Sequence, residues 1–170
     1  MQVVHAATED AHAVATIHVE AWRAAYVSIV AADYLAALSV DAREAQWREY
    51  IAVGAPELLV AKEDGLVQGW LRWARSRDDG AGPSDAELWA VYVAPRAWAT
   101  GVGRMLWQRA RQLMLASGFT SCCVWVFPQN ERAIRFYRAA GFVRDGCAPR
   151  QFELGGVPVQ EVRYVTQFAK

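Results

Sequence analysis

An α/β fold of the α+β type is predicted by this sequence: a single mixed, mostly antiparallel twisted sheet of six to seven strands with helices on both faces. Apolar runs typical of strands are interspersed with amphipathic segments, in the order strand, helices, three strands, helix, strand, helix, hairpin. The chain has 170 residues, of which 54% are hydrophobic, so it can bury a sizeable core. We therefore expect residues 1–170 to form a single domain.

The N-terminal third is predicted to contain one strand and three helical segments. Residues 2–7 form a short strand, and the acidic pair ED after it suits the first turn of a helix. A short second helix surrounds the sequence DYLAAL. Asp41 followed by Glu44 resembles a capping box and predicts the start of a third helix. Pro56 ends this region.

Three strands are predicted in the middle of the chain. Asp64-Gly65 between two apolar runs is a hairpin signal, the polar stretch RDDGAGPSD is a loop, and AELWAVYVAP is the next strand, ending at Pro95. Trp70 and Trp73 lie on opposite phases of their strand unless a bulge intervenes. The two rings therefore cannot both face one pocket.

The C-terminal part is predicted to alternate helices and strands. A helix runs over 101–117, with Gly118 where a helix C-terminus favours glycine. The run CCVWVF is a buried strand, Asn130 can cap the helix ERAIRFYRAA, and Gly141 ends that helix. A final hairpin turns at Gly155-Gly156.

Composition excludes several classes of partner. Eighteen basic and eighteen acidic residues give no net charge, and no Lys/Arg cluster indicates nucleic-acid binding. No apolar run approaches the roughly 18 residues of a membrane span, and the sequence MQVVHAATED lacks the features of a signal peptide. We expect a cytoplasmic protein with no nucleic-acid or membrane partner.

Cysteine and histidine spacing indicates neither a disulfide framework nor a metal site. Cys122 and Cys123 are adjacent in a predicted strand, so their side chains point to opposite faces. Cys147 has no CxxC neighbour, and the three histidines show no ligand spacing with the cysteines. No metal is expected.

Two glycines one residue apart, Gly101 and Gly103, stand between a strand and a helix. Such a turn aims unpaired backbone N–H groups at one point and is suited to an anion. A P-loop needs Gly-Lys-Ser/Thr where this chain has Gly103-Arg104-Met105, and a dinucleotide fingerprint needs a third glycine where it has Leu106. Neither of these phosphate-binding patterns fits.

Residues 87–142 resemble the GNAT N-acetyltransferase superfamily. That family's pyrophosphate loop has the pattern Gln/Arg-x-x-Gly-x-Gly/Ala, matched here by Gly101 and Gly103. The stretch NERAIRFYRAAGF is similar to the family's helix after the next strand, in which Asn130 and Tyr137 hold the characteristic positions. The resemblance implies that acetyl-CoA is the cosubstrate and that its acetyl group is transferred to an amine.

The resemblance also implies which residues bind the cofactor. In the family, the backbone of the strand before the loop binds the pantetheine arm, and the asparagine donates a hydrogen bond to it. Trp98 stands where the family has Gln or Arg, and Ala99 where many members have glycine, so no side-chain contribution is expected from position 98. The implied cofactor-binding residues are Val91, Tyr92, Val93, Trp98, Ala99, Thr100, Gly101, Val102, Gly103, Arg104 and Asn130.

Two side chains are implied to move protons. Glu87 holds the position of the family's carboxylate that takes the amine's proton, and its alternative interpretation is a solvated carboxylate at a strand edge. Tyr137 matches the tyrosine that donates a proton to the departing thiolate, a role that suits a phenol with a pKa near 10. Its alternative is the half-exposed edge of an amphipathic helix.

The acceptor is predicted to be the amine of a small molecule or a peptide, and a homodimer remains open. Trp22 and Tyr26 lie on the segment that often walls the acceptor site in this family, although core packing is the favoured alternative for these aromatics. The sequence therefore predicts an N-acetyltransferase. A non-catalytic acyl-CoA sensor is the first alternative, and a nucleotide binder is the second.

Overall fold

The computed structural model describes residues 1–54 and 57–168. The helices are α1 (Ala11–Ala25), α2 (Ala32–Ala37), α3 (Val40–Ala52), α4 (Val102–Ala116) and α5 (Glu131–Ala139). The strands are β1 (Gln2–His5), β2 (Leu58–Glu63), β3 (Leu66–Arg75), β4 (Asp85–Val93), β5 (Ser121–Val126), β6 (Val143–Arg144), β7 (Arg150–Leu154) and β8 (Val157–Gln167). The predicted end of the third helix at Pro56 lies outside the described residues.

The strands form one sheet in the order β1-β2-β3-β4-β5-β8-β6, with β7 paired to β8. Neighbouring strands are antiparallel except β4 and β5, which are parallel. The predicted fold class is confirmed. The eighth strand is β6, a two-residue segment with too little pattern to be found in the sequence.

Helices cover both faces of the sheet, as two neighbouring residues of β3 demonstrate. Trp70 is fully buried, and its indole Nε1 donates to the carbonyl of Val14 on α1 at 3.0 Å. A Cβ added to Gly69 would lie 3.0 Å from the side chain of Val102 on α4. Successive strand residues point to opposite faces, so α1 and α4 lie on opposite sides of the sheet.

Local signals set the turns, with one difference at a helix start. Asp64 and Gly65 both have positive φ, 50° and 80°, as a two-residue hairpin turn of type I′ requires. The N-cap of α3 is Ser39, whose side chain accepts a hydrogen bond from the backbone N–H of Ala42. The expected cap at Asp41 is wrong because that residue already lies inside the first turn.

A bulge and a parting of strands shape the centre of the sheet. Arg72 pairs with Ala90 and Trp73 with Leu88, which leaves Trp89 as an extra residue in β4. The bulge lies in the partner strand, so Trp70 and Trp73 keep opposite phases. β4 and β5 pair only over residues 85–87 and 121–123. Beyond those pairs no ladder joins the two strands, and a cleft opens between them.

Candidate active site

The cleft between β4 and β5 encloses a cavity of about 600 Å³. One end is formed by the turn before α4 and the first turns of α5, and it carries three arginines. We call this end the arginine mouth (Arg104, Arg132 and Arg135). The opposite end lies between the end of α1, the residue after β5 and the β7–β8 hairpin. We call it the aromatic end (Trp22, Tyr26, Phe127, Phe152, Leu154 and Glu161).

The two glycines at the arginine mouth have different physical roles. Gly101 is the N-cap of α4 with φ of 94°, a conformation that glycine adopts without steric cost. Gly103 lies against α5, because an added Cβ would be only 3.3 Å from the ring of Phe136. The first helical hydrogen bond runs from Met105 N–H to Gly101 O at 3.0 Å. The backbone N–H groups of residues 102–104 therefore precede the helical ladder and are free to bind an anion.

The turn before Gly101 contains a strained residue. Ala99 has φ of 64°, the left-handed region that favours glycine. The neighbouring Thr100 does not line the cavity, and its hydroxyl donates to the carbonyl of Ala97 at 2.7 Å. The predicted loop residues thus bend as one tight turn, with Ala99 bearing the backbone strain.

Trp98 supports the arginine mouth with its side chain. The guanidinium of Arg132 lies 3.4 Å from the centre of the Trp98 ring, a cation–π contact. The indole Nε1 donates to the carbonyl of Val93 at 2.9 Å. Trp98 therefore orients a cation of the mouth, and it also occupies one of the backbone carbonyls that β4 was expected to offer to the pantetheine arm.

The remaining predicted cofactor residues lie along the cleft. Val91, Tyr92 and Val93 line its β4 wall, and Asn130 lines it at the start of α5. The Asn130 side chain accepts a hydrogen bond from the backbone N–H of Ala133 at 3.2 Å, which confirms the predicted helix cap. Its amide group can still donate toward the cleft.

Tyr137 lies in the wall between the two ends of the cleft. Tyr137 is buried, whereas its neighbour Phe136 is partly exposed. Tyr137 is therefore not the half-exposed edge of an amphipathic helix, which was the alternative interpretation. Burial raises the pKa of Tyr137 above its ordinary value of 10. The phenol therefore keeps its proton at neutral pH and is available as a donor.

Glu87 lies outside the lining of the cleft. It is 1% exposed, and its carboxylate accepts hydrogen bonds from the backbone N–H and the Nε of Arg77, each at 3.1 Å. A second guanidinium nitrogen completes an ion pair. These hydrogen bonds hold the carboxylate toward the β3–β4 loop. The role of Glu87 as the base for the amine stays a prediction.

Glu161 is the carboxylate that lines the cleft, and the sequence analysis missed it. Burial raises the pKa of Glu161 above its ordinary value of 4.5. The register of β7 and β8 places it opposite Arg150. No short motif surrounds Glu161, since only the pairing of β8 with two other strands brings it to the cleft.

Asp78 fixes the β3–β4 loop beside the aromatic end. Its carboxylate accepts hydrogen bonds from Trp125 Nε1 at 2.9 Å, from Arg150 at 2.9 Å and from Arg163 at 2.8 Å. Burial opposes ionisation, but the hydrogen bonds from Arg163 and Trp125 outweigh it and lower the pKa of Asp78. The loop, β5, β7 and β8 are thus tied together at one charged group.

The mixed sheet, the parted strands and the turn with its free N–H groups form a cleft that suits a long, phosphate-bearing molecule. The chain belongs to the acetyltransferase (GNAT) family, whose sequence model matches residues 12–142. It is 33% identical over 160 residues to YuaI, an uncharacterised N-acetyltransferase of Bacillus subtilis, with 94% of this chain and 89% of that protein covered. The predicted family is confirmed, and the protein is an enzyme.

Solved structures confirm the fold. The PaiA N-acetyltransferase from Thermoplasma acidophilum, in complex with coenzyme A, superposes with a TM-score of 0.77 at 18% identity, with 98% of each chain covered. YncA, a putative acetyltransferase from Salmonella typhimurium with its cofactor acetyl-CoA, superposes with a TM-score of 0.74 at 23% identity, with 100% of this chain and 95% of that chain covered. Throughout the described ranges, the helices are too short or too polar to span a membrane.

Proposed function

We propose that the protein transfers the acetyl group of acetyl-CoA to a primary amine by direct attack in a ternary complex. The observation that carries this proposal is the cleft between β4 and β5, which joins an anion-binding turn with three arginines to an aromatic end with one carboxylate. A cosubstrate with a phosphate-rich half and a thin reactive arm suits such a shape. Acetyl-CoA has that form, and two solved structures of the same fold contain it or coenzyme A.

The residues of the arginine mouth would hold the phosphates. Backbone N–H groups at the N-terminus of α4 can donate to the pyrophosphate, and the helix dipole favours its negative charge. Arg132, oriented by Trp98, adds a charged hydrogen bond. The β4 backbone at Val91 and Tyr92 and the free amide donor of Asn130 would orient the arm.

Tyr137 would protonate the leaving sulfur. The amine nitrogen attacks the thioester carbonyl, a C–N bond forms, the C–S bond breaks, and the thiolate takes the proton of the phenol. The nitrogen loses a proton as the amide forms, and that proton restores the phenol. Among the residues described, no cysteine lines the cleft, and burial raises the pKa of Cys123 to about 12. Direct attack is favoured over a covalent cysteine intermediate for that reason.

Calorimetry on a matched pair of glycine variants tests the cradle. Gly101 and Gly118 bound the two ends of α4, both have positive φ, and an added Cβ meets nothing within 4 Å at either. Gly101→Val and Gly118→Val therefore introduce similar backbone strain, but only the first places a side chain at the cleft. We expect Gly101→Val to weaken acetyl-CoA binding at least tenfold and Gly118→Val to bind like the parent.

Three results would contradict the proposal in different ways. A folded Gly101→Val protein with parent-like affinity would show that the turn is not the pyrophosphate site. Tight acetyl-CoA binding without thiol release across an amine panel would favour the acyl-CoA sensor. Tighter binding of ATP than of coenzyme A would favour the nucleotide binder.

A further inference from the structure

The aromatic end of the cleft contains one carboxylate, Glu161, whose charge is only partly balanced by Arg150 opposite it on β7. Within the described ranges, the Glu161 carboxylate makes neither a hydrogen bond nor an ion pair with another residue. The nearby cations are already paired with other acids: Arg77 with Glu87, and Arg150 and Arg163 with Asp78 and Asp145. A partly buried carboxylate without a partner is costly, so a ligand that brings a single positive charge would be bound favourably.

The surroundings of Glu161 are aromatic. Tyr26 contacts Trp22 and Phe127 edge to face, with ring centroids at 5.0 Å and 5.2 Å. Phe127 is buried at the bottom, and Phe152 on β7 is 36% exposed at the rim, with its ring centroid 6.4 Å from that of Phe127. Such walls gain energy from burying apolar surface of a ligand and offer ring edges and faces to a second ring.

Resting on the proposed function, we infer that the acceptor is a small monocationic amine with an aromatic or comparably apolar body, bound at the aromatic end with its ammonium group against Glu161. A carboxylate beside the amine would face the charge of Glu161 and be repelled. A diamine would place its second ammonium among rings without a counter-charge. The pocket thus discriminates by charge as well as by shape.

Glu161 also prepares the amine for attack. The ammonium group gives one proton to the Glu161 carboxylate, which passes it to solvent, and the neutral nitrogen then attacks the thioester. The phenol of Tyr137 gives its proton to the departing thiolate sulfur, and the second proton lost by the nitrogen returns to that phenol. The net reaction releases one proton, one amide and one coenzyme A thiol.

A panel of three amines tests the substrate class. Phenethylamine, phenylalanine and putrescine differ in the carboxylate and in the second charge. We expect kcat/KM for phenethylamine to exceed the values for both others at least tenfold. Equal or faster acetylation of phenylalanine or putrescine would overturn the inference and leave the proposed function intact.

Binding without turnover tests the pocket separately. N,N-dimethylphenethylamine is a cation that cannot form the amide, and calorimetry with coenzyme A present measures its affinity. Glu161→Gln is expected to weaken this binding at least tenfold, whereas Glu153→Gln, an exposed carboxylate of the same hairpin, is the matched control and leaves it unchanged. Equal affinity in the parent and Glu161→Gln would overturn the inference, even in a protein that acetylates no amine tested.

The pH profile distinguishes proton transfer from mere attraction. In the parent, kcat/KM for phenethylamine should fall as the pH drops through the raised pKa of Glu161, because the protonated carboxyl can neither attract nor deprotonate the ammonium. This acidic limb should be absent in Glu161→Gln and retained in Glu153→Gln. A limb that persists in Glu161→Gln would remove Glu161 from the proton transfer.

Discussion

Among single side chains, Tyr137 is the one that the proposed mechanism uses as a proton donor. Tyr137→Phe keeps the buried ring and loses only the O–H, so acetyl-CoA should bind within a few-fold of the parent while turnover falls at least about tenfold. Tyr164→Phe is the matched control, since Tyr164 is buried on β8 away from the cleft lining. Parent-like turnover in Tyr137→Phe, measured by thiol release with an established acceptor, would remove this residue from the mechanism.

Ala99 bears strain that a glycine would relieve. A left-handed conformation costs an alanine roughly 1–2 kcal/mol, and a glycine avoids this cost. Glycine is also more flexible in the unfolded chain, which lowers the free energy of unfolding by about 0.5–1 kcal/mol and offsets part of the gain. Ala99→Gly should therefore leave the free energy of unfolding unchanged or raise it by up to about 1.5 kcal/mol. Denaturant titration checks this result.

Ala97→Gly is the matched control for Ala99, because Ala97 is buried in the same turn and its φ is not in the positive region. It should lower the free energy of unfolding by about 1 kcal/mol. A drop of similar size in Ala99→Gly would mean that the turn in solution differs from the one described.

The candidate site residues that the sequence could locate are those in local motifs. Gly101, Asn130 and Tyr137 are fixed by spacing along one loop and one helix. The carboxylate is different, because Glu87 is neutralised by an arginine from a loop and Glu161 is brought in by strand pairing. Which acid stays without an ion pair depends on long-range contacts that spacing does not encode.

Among the elements, the β7–β8 hairpin determines the shape of the aromatic end. Its turn packs on α2, because a Cβ added to Gly155 would lie 2.7 Å from the Cβ of Tyr34. Gly155→Ala should push the hairpin off α2, lower the free energy of unfolding by about 1–3 kcal/mol and raise the KM of the amine. Circular dichroism during urea titration and initial rates measure the two effects.

Gly156→Ala controls for backbone strain in the same turn. Gly156 also has positive φ, 76°, but an added Cβ meets nothing within 4 Å. Gly156→Ala should lower the free energy of unfolding only by the backbone strain, about 1–2 kcal/mol, and leave the KM of the amine unchanged. Equal KM values in the two variants would contradict the proposed coupling between the hairpin and the pocket.

The hairpin turns and the cap at Asn130 could be predicted because they depend on neighbouring residues. Asp64-Gly65 and Gly155-Gly156 supply the positive φ that two-residue hairpins need. The cap of α3 is Ser39 and not Asp41, a difference of two residues that depends on the backbone geometry of the first turn. The bulge at Trp89 could not be predicted, because it depends on the register of β3 against β4.

For the molecule as a whole, His18 couples stability to pH. Its side chain extends from α1 toward the sheet, and its ring is stacked on that of Tyr92 with centroids 5.3 Å apart. Burial and, to a smaller extent, Arg43 lower its pKa from 6.5 to about 4. The unfolded chain thus binds a proton at a higher pH than the folded protein, so stability is fully present above pH 6.5 and is lost as the pH falls toward 4.

The expected loss from this histidine between pH 7.5 and pH 5 is about 2 kcal/mol in the free energy of unfolding. Urea titrations at both values measure it. His18→Leu removes the titrating group and keeps an apolar side chain in the core, so its pH dependence should be smaller by about that amount. If the free energy of unfolding depended on pH equally in the parent and in His18→Leu, His18 would not be the source of that dependence.

The two ends of the cleft also bear on the kinetics expected of the proposed ternary complex. The arginine mouth and the aromatic end give each substrate its own approach, so neither has to leave before the other arrives. Initial-rate plots against both substrates should intersect, with coenzyme A competing against acetyl-CoA and inhibiting non-competitively toward the amine. A cell rich in coenzyme A would therefore slow this enzyme even when the amine is saturating, and the ratio of acylated to free coenzyme A would control its rate.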